Sequence, residues 1–174
     1  MNYTKCWLDY KPLAKDKIRP CYLNPVLLAS GEIAQTIAEE YKTAMSVMLG
    51  ETVEMSYEVL EEPSVFMQIQ KKYEFPDEKG KGQSTEVLNQ AFAIYEEEES
   101  IVITGRTETA VLQGVFAFLR MVALDNLSEK MPYYCIPSMP FRMMNHWDDM
   151  DGSIERGYSG RSFFYDDYKI LYND

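Results

Sequence analysis

Apolar positions along the chain fall into two stripes of helical period and several short runs of strand period. Ile33, Ala34, Ile37, Ala38, Tyr41, Ala44, Met45, Met48 and Leu49 recur at spacings of three and four, which predicts an amphipathic helix. Ser30 is placed to cap its start and Gly50 to end it in a left-handed turn, while Glu39, Glu40 and Lys42 should face water. After Gly50 the period changes to two. Val53, Met55, Tyr57 and Val59 alternate with Glu54, Ser56 and Glu58, the pattern of a strand with one buried face. Residues 65–69 predict a further strand, and residues 92–95 and 100–104 a hairpin closed by the four glutamates 96–99. That acidic block is read as a solvated turn whose like charges discourage edge-to-edge pairing. Gly105 and Thr107 open a second helix running to about Leu124. It is apolar over more than half its circumference through Val111, Leu112, Val115, Phe116, Phe118, Leu119 and Val122, so it should be buried on more than one side. Gly114 within it points to the close approach of a neighbour, at about 1 kcal/mol of helix propensity relative to Ala.

The remaining stretches are punctuation. Residues 6–10 are short, aromatic-rich and followed by Pro12, and are read as a first strand; residues 11–29, broken by Pro12, Pro20 and Pro25, are read as loop. Residues 71–86, with Gly80, Gly82 and many charges, are read as an exposed loop. The order strand, helix, four strands, helix predicts an α+β domain, a two-layer sandwich of a mixed β-sheet with two main helices on one face. This domain should occupy residues 1–127, with residues 128–140, carrying Pro132, Pro137 and Pro140, as a proline-stiffened connector.

Composition narrows the function classes. A 46% apolar and 13% aromatic content supports a real core, and a net charge of −11 argues against nucleic acid or an anionic membrane surface as partner. An acidic sugar is not excluded, because one local cluster of Lys or Arg can hold a carboxylate inside an acidic protein. Cys6, Cys21 and Cys135 have neither an even count nor CxxC spacing, so buried thiols are expected rather than a disulfide framework or zinc site. No apolar run reaches membrane-spanning length. The start shows no signal-peptide pattern, which fits a cytoplasmic protein, or a periplasmic or secreted one whose leader has been removed.

Beyond Pro140 the character of the chain changes. A short candidate strand, Phe141-Arg142-Met143-Met144-Asn145-His146-Trp147, runs into a stretch from Asp148 to Ser162 dense in charge, glycine and aromatics without any period. Four chemistries compete there. A metal could draw on His146, Asp148, Asp149 and Asp151, but the spacing lacks the first and last ligands of a calcium loop. A general acid–base carboxylate pair is possible by residue type, yet such pairs usually come from different strands. A sugar platform of Trp147 with Glu155 and Arg156 is chemically sensible, since an aromatic face packs on a pyranose ring while charges fix hydroxyls or a carboxylate. The plainer alternative, which spacing alone favours, is Trp147 filling a core beside a Glu155–Arg156 ion pair.

The segment also carries a resemblance. Arg142-Met143-Met144-Asn145-His146-Trp147-Asp148-Asp149, followed by Asp151-Gly152-Ser153-Ile154-Glu155-Arg156-Gly157-Tyr158-Ser159-Gly160-Arg161-Ser162, closely resembles the signature of glycoside hydrolase family 67, the α-glucuronidases. Departures are mild: Met144 for Leu, Asp149 for Asn and Ser159 for Ala. Upstream, Trp7-Leu8-Asp9-Tyr10-Lys11-Pro12 is similar to the family's opening motif with Asp9 in place of Arg. Ile103-Thr104-Gly105, then Gly114-Val115-Phe116 and Phe118-Leu119-Arg120, are similar to two further family motifs.

The resemblance implies an N-terminal α/β accessory domain followed, in residues 141–174, by the first strand and loop of an incomplete (β/α)8 barrel. It implies inverting hydrolysis of the α-1,2 bond joining (4-O-methyl)glucuronic acid to xylooligosaccharides, with no cofactor and no metal. Trp147 matches the family's wall against the uronic acid, and Glu155 and Arg156 are its candidate companions in substrate binding. No catalytic carboxylate is expected within the chain, since those lie on later barrel strands, so the chain alone should be inactive. A lone barrel strand must pack on the N-terminal domain, stay disordered or pair with another copy, which puts a homodimer among the expected partners. The alternative function is a stand-alone, non-catalytic carbohydrate-binding or interaction domain.

Overall fold

The computed structural model of the chain describes residues 10–141, 147–154, 161, 162 and 164–170. The chain forms two compact units, Met1–Pro140 and Phe141–Asp174. In the first, two short 3-10 turns precede strand β1 (Pro25–Leu28) and helix α1 (Ala34–Leu49). Strand β2 (Val65–Ile69) and the single-turn helices α2 (Asp77–Gly80) and α3 (Thr85–Leu88) follow. Then come the hairpin β3 (Phe92–Glu97) and β4 (Ser100–Gly105), helix α4 (Glu108–Ala123), the single turn α5 (Leu127–Lys130) and strand β5 (Tyr133–Cys135).

The five strands form one sheet in the order β1-β2-β4-β3-β5. β1, β2 and β4 run parallel, and β3 is antiparallel to both β4 and β5, so the sheet is mixed. The crossovers β1-α1-β2 and β4-α4-β5 start from parallel strands and advance the same way across the sheet. Connections of one hand therefore put both helices on the same face. Leu27, Met67, Ile103, Ile94 and Tyr133 stand side by side across the five strands beneath them. This is the two-layer α+β arrangement that the sequence pattern predicts.

The helix stripes close the core, except that Phe116 of α4, counted in its stripe, is left 43% exposed. Ile37, Ala38, Tyr41, Ala44, Met45 and Met48 of α1 are buried, as are Val111, Val115, Phe118, Leu119 and Val122 of α4. The Tyr41 ring stacks on Phe118 with centroids 6.0 Å apart, and Tyr22 meets Phe118 edge-on at 5.8 Å. The Tyr41 hydroxyl donates to the Tyr22 carbonyl at 3.1 Å, so this fully buried phenol keeps a partner. Burial of each such ring contributes about 1.5–3 kcal/mol.

α4 lies unusually close to the sheet. A β-carbon on Gly114 would come within 2.7 Å of Ile103 Cγ2 and 3.3 Å of Phe92 Cδ2. One on Gly105 would sit 2.6 Å from Ala110 Cβ. Gly114 thus does permit a close neighbour, and that neighbour is the sheet.

Four expectations are corrected. Residues 11–29 are not all loop: β1 lies within them, four residues beginning with a proline, which suits the first position of an edge strand. Residues 53–59 form no strand. Ser56 alone bridges to Val26, with its N–H donating to the Pro25 carbonyl at 2.9 Å, and Tyr57 and Val59 are 62% and 68% exposed. Ser30 does not cap α1. The Glu108 carboxylate instead accepts from the Gly31 and Ile33 amides at 2.6 and 3.2 Å, where the positive end of the helix dipole favours an anion. Finally, residues 71–86 are not simply exposed, because Tyr73 and Phe75 help cover the second face of the sheet over Ala91 and Ala93.

Other readings hold with additions. Gly50 ends α1 at φ +74°, its N–H donating to the Ser46 carbonyl at 3.0 Å. The hairpin forms and extends through Glu96 and Glu97, leaving Glu98 and Glu99 as the turn; Glu96 is ion-paired with Arg19. Part of the stretch read as a connector, β5, joins the sheet beside β3; at three residues it is too short to show a period. The expected strand at residues 6–10 falls almost wholly outside the described residues. Cys21 is buried and Cys135 half-buried, both as free thiols. Among the described residues no helix is long and apolar enough to cross a membrane.

Two outcomes follow from this packing. Gly114→Ala gains about 1 kcal/mol of helix propensity but drives a methyl into Ile103, and net destabilisation of about 1–3 kcal/mol is expected in a denaturant titration. An unchanged or raised midpoint would contradict the close seat of α4. Burial pushes the Cys21 thiol up from an ordinary 9.0 to about 11 and the Tyr22 phenol from 10.0 to about 12. Both hold their protons more tightly folded than unfolded. Their stabilisation is therefore complete below about pH 9 and lost as pH rises through 11 to 12. The melting temperature should stay level to about pH 9 and fall beyond it.

Candidate functional site

The segment singled out by its charge and glycine content lies in the second unit. Its described part starts at Trp147, which is 45% exposed. Asp148 and Ile154 form an antiparallel bridge, and residues 149–153 make the tight turn between them. The Asp149 N–H donates to the Ser153 carbonyl at 2.9 Å and the Gly152 N–H to the Asp149 carbonyl at 3.0 Å. Gly152 sits at φ +89°, and a β-carbon there would lie 3.0 Å from the Tyr165 carbonyl oxygen, so both conformation and space require glycine.

Ser162 ties this turn to the hairpin that follows. It is only 7% exposed. Its N–H donates to the Gly152 carbonyl at 2.9 Å, and its hydroxyl donates to Asp148 Oδ2 at 2.6 Å. The same hydroxyl oxygen accepts from the Phe164 and Tyr165 amides at 2.9 and 3.0 Å. One donor and two lone pairs are all a serine hydroxyl has, so it is fully used. Strands β6 (Tyr165–Asp166) and β7 (Lys169–Ile170) pair antiparallel across Asp167 and Tyr168, both at positive φ, the geometry of a two-residue hairpin turn. The Tyr168 N–H donates to the Met150 carbonyl at 2.7 Å, closing the hairpin onto the turn. Arg161 pairs with Asp166 on the surface, where such a pair contributes little.

The acidic residues have internal work. Asp148 accepts from Ser162, and Asp149 Oδ2 accepts from the Ser153 hydroxyl at 3.2 Å. Asp151 Oδ1 accepts from the Ser153 amide at 2.8 Å. The hydrogen bond from Ser153 holds the Asp151 carboxyl below its usual range, keeping it ionised. Among the described residues no group of three or more His, Cys, Asp or Glu is placed to hold a metal ion. Of the substrate-binding residues expected from the sequence, Trp147 is described as half-exposed at the base of the turn. Glu155 and Arg156 lie outside the described residues, as does His146 of the metal alternative. Sequence reasoning overlooked Ser162 as the hub of the loop. Its only advance signal was position, a small hydroxyl residue after a glycine-rich run, and that does not distinguish it from Ser153 or Ser159.

Residues 6–118 match the model of the glycosyl hydrolase family 67 N-terminus, and residues 121–174 match that of the family's middle domain. The chain belongs to glycosyl hydrolase family 67. Relatives of this family 67 chain include a probable alpha-glucuronidase A of Aspergillus terreus, 28% identical over 179 residues, 95% of this chain and 20% of that protein. A probable alpha-glucuronidase A of Aspergillus fumigatus is 46% identical over 70 residues, 40% of this chain and 8% of the relative. Alpha-glucuronidase A of Aspergillus tubingensis is 40% identical over 80 residues, 46% of this chain and 9% of the relative. The matched stretches thus span a fifth or less of these curated relatives.

The Ser162 hub has a measurable consequence. Ser162→Ala removes the acceptor of two amides and the donor to Asp148, and losing such bonds costs about 1–3 kcal/mol locally. Hydrogen exchange at the Phe164 and Tyr165 amides should accelerate by about tenfold or more, with Ser162→Thr recovering part of the protection. Unchanged exchange would show that the loop is held elsewhere.

Proposed function

We propose that this chain is the N-terminal portion of a xylan-degrading α-glucuronidase. The whole enzyme would hydrolyse the α-1,2 bond between (4-O-methyl)glucuronic acid and a xylooligosaccharide, with inversion. The observation that carries the reading is the succession of two family 67 matches, N-terminus then middle domain, along one chain. On this reading the first unit, with β5 as its last strand, is an accessory domain, and residues 141–174 are the first strand and loop of a (β/α)8 barrel, at whose carboxyl-end face sites are built.

Trp147 is proposed as one wall of the sugar pocket, its indole packing on the uronic acid ring, with Glu155 and Arg156 binding substrate beside it. Inversion needs one carboxylic acid for the leaving oxygen and one carboxylate for the water, about 6.5–9.5 Å apart. Asp148, Asp149 and Asp151 are poor candidates, since each accepts a hydrogen bond that holds the loop together. The resemblance to the family assigns both catalytic groups to later strands of the barrel. The substrate would be a glucuronic-acid-substituted xylooligosaccharide, and pairing of the barrel strand with a second copy would make a homodimer.

Release of glucuronic acid from an aldouronic acid tests the reading. The purified chain should release none. Joined to the remainder of the Aspergillus tubingensis relative, it should support release, and Trp147→Ala there should lower kcat/KM by about 10- to 100-fold, or about 1.4–2.7 kcal/mol. Turnover by the chain alone, abolished by Trp147→Ala, would place the catalytic groups within these residues instead.

A further inference from the structure

The second face of the first unit's sheet carries an aromatic cleft that the function proposed above does not use. Tyr95 of β3 and Tyr134 of β5 share this face, two positions apart along the β3–β5 ladder, because Tyr134 is opposite Ala93. Tyr73, from the segment after β2, lies against Tyr95 with ring planes 15° apart and centroids at 6.5 Å. Phe75 buttresses Tyr73 edge-on at 4.9 Å. The three tyrosines, all half-buried, open into a cleft of about 580 Å³ completed by Pro132, Ser128 and Glu96.

A cleft of this size suits a small ligand. Its chemistry narrows the class. Aromatic faces and a proline offer apolar area at little entropic cost, while phenol, hydroxyl and carboxylate groups offer hydrogen bonds at the rim. Burial pushes the Tyr73 phenol up to about 12, so it stays a neutral donor and acceptor across the physiological range. Glu96 is the one charged group among the lining residues, and its charge is already balanced by the ion pair with Arg19. With −11 overall, the protein gives this cleft no attraction for a phosphate or a uronate. What remains is a neutral, polyhydroxylated ring with apolar faces.

We infer that the cleft bounded by Tyr73, Tyr95 and Tyr134 binds a neutral oligosaccharide of pyranose rings, the class to which an unsubstituted xylan backbone belongs. It is separate in chemistry from the Trp147 loop, which is proposed to meet the acidic substituent. The choice of a xylan-type ligand rests on the function proposed above, whereas the preference for a neutral sugar rests on the cleft itself. The site would hold an oligosaccharide near the enzyme without contributing to bond cleavage, and its affinity should be weak, with Kd on the order of 0.1–1 mM.

Xylohexaose titrated into the 174-residue chain, followed by calorimetry and by amide chemical-shift changes, tests the inference. Binding should be saturable and at least tenfold weaker in Ser128→Trp, which fills the mouth of the cleft from an exposed position and leaves the core untouched. Tyr134→Ala should weaken it comparably, and Val47→Ser, at an exposed position of α1 on the other face of the sheet, should leave it unchanged. Glucuronic acid should not compete. The inference is overturned if xylohexaose does not bind at 10 times the upper expected Kd. It is equally overturned if binding survives Ser128→Trp or is lost equally in Val47→Ser. If an aldouronic acid binds through Trp147 while xylohexaose does not bind at all, the cleft assignment fails and the α-glucuronidase reading stands. Xylohexaose binding that Ser128→Trp abolishes, without uronate recognition in the joined enzyme, gives the opposite result.

Discussion

The first unit depends on how closely α4 can sit on its sheet, and that distance is set by two missing β-carbons. Gly105 ends β4 where Ala110 passes over it, and Gly114 faces Ile103 and Phe92 one turn later. A side chain at either position would lift the helix and open a void beneath it, forfeiting the dispersion contacts that a close-packed interior supplies. With α4 seated, Phe118 is presented to Tyr41 and Tyr22, which fixes α1 alongside. Glu108, in the first turn of α4, then reaches the unsatisfied amides at the start of α1. Backbone packing, aromatic stacking and electrostatics all follow from one close approach. The motifs around Gly105 and Gly114 through which the chain resembles its family are the two halves of that contact.

The same contact explains what could be read from sequence. The stripes of α1 and α4 were legible because each helix spends a whole face on one core, so the period survives over sixteen residues in each case. The hairpin was legible because an acidic turn separates an aromatic-rich run from a β-branched one. β1 and β5 were not, since strands of four and three residues are too short to carry a period. The alternation at residues 53–59 misled for the opposite reason. The pattern is present, but the chain makes a single bridge at Ser56 and then leaves the sheet, so Tyr57 and Val59 never reach a core. The cap of α1 was beyond local reasoning because its donor amides and their acceptor are 77 and 75 residues apart.

At the candidate site, legibility divides along the same line between local and long-range causes. A reader of the sequence sees Asp148, Asp149 and Asp151 as a cluster of potential ligands or acids. In the folded loop they answer backbone and hydroxyl donors within a few residues, apart from Asp148, whose partner Ser162 is 14 residues away. A glycine-rich loop exposes many amides that must be satisfied, and short acidic side chains are the cheapest acceptors for them. Charge density in such a loop therefore measures how much backbone has to be held, before it measures any chemistry.

That distinction bears on how a family 67 chain with a net charge of −11 would handle an acidic sugar. Long-range attraction is absent, so recognition of a uronate has to be local, through a desolvated cation and an aromatic wall whose geometry is fixed in advance. A loop braced by Ser162, Gly152 and Asp148 supplies such fixity next to Trp147. The neutral backbone of the same substrate faces no electrostatic penalty and requires only area and hydroxyl partners, which the tyrosine cleft has. On the proposed reading, splitting the two tasks between the aromatic cleft and the braced loop would let the protein stay strongly anionic. Adding cations across its surface would attract uronates everywhere, and binding that is uniform over the surface does nothing to place the scissile bond.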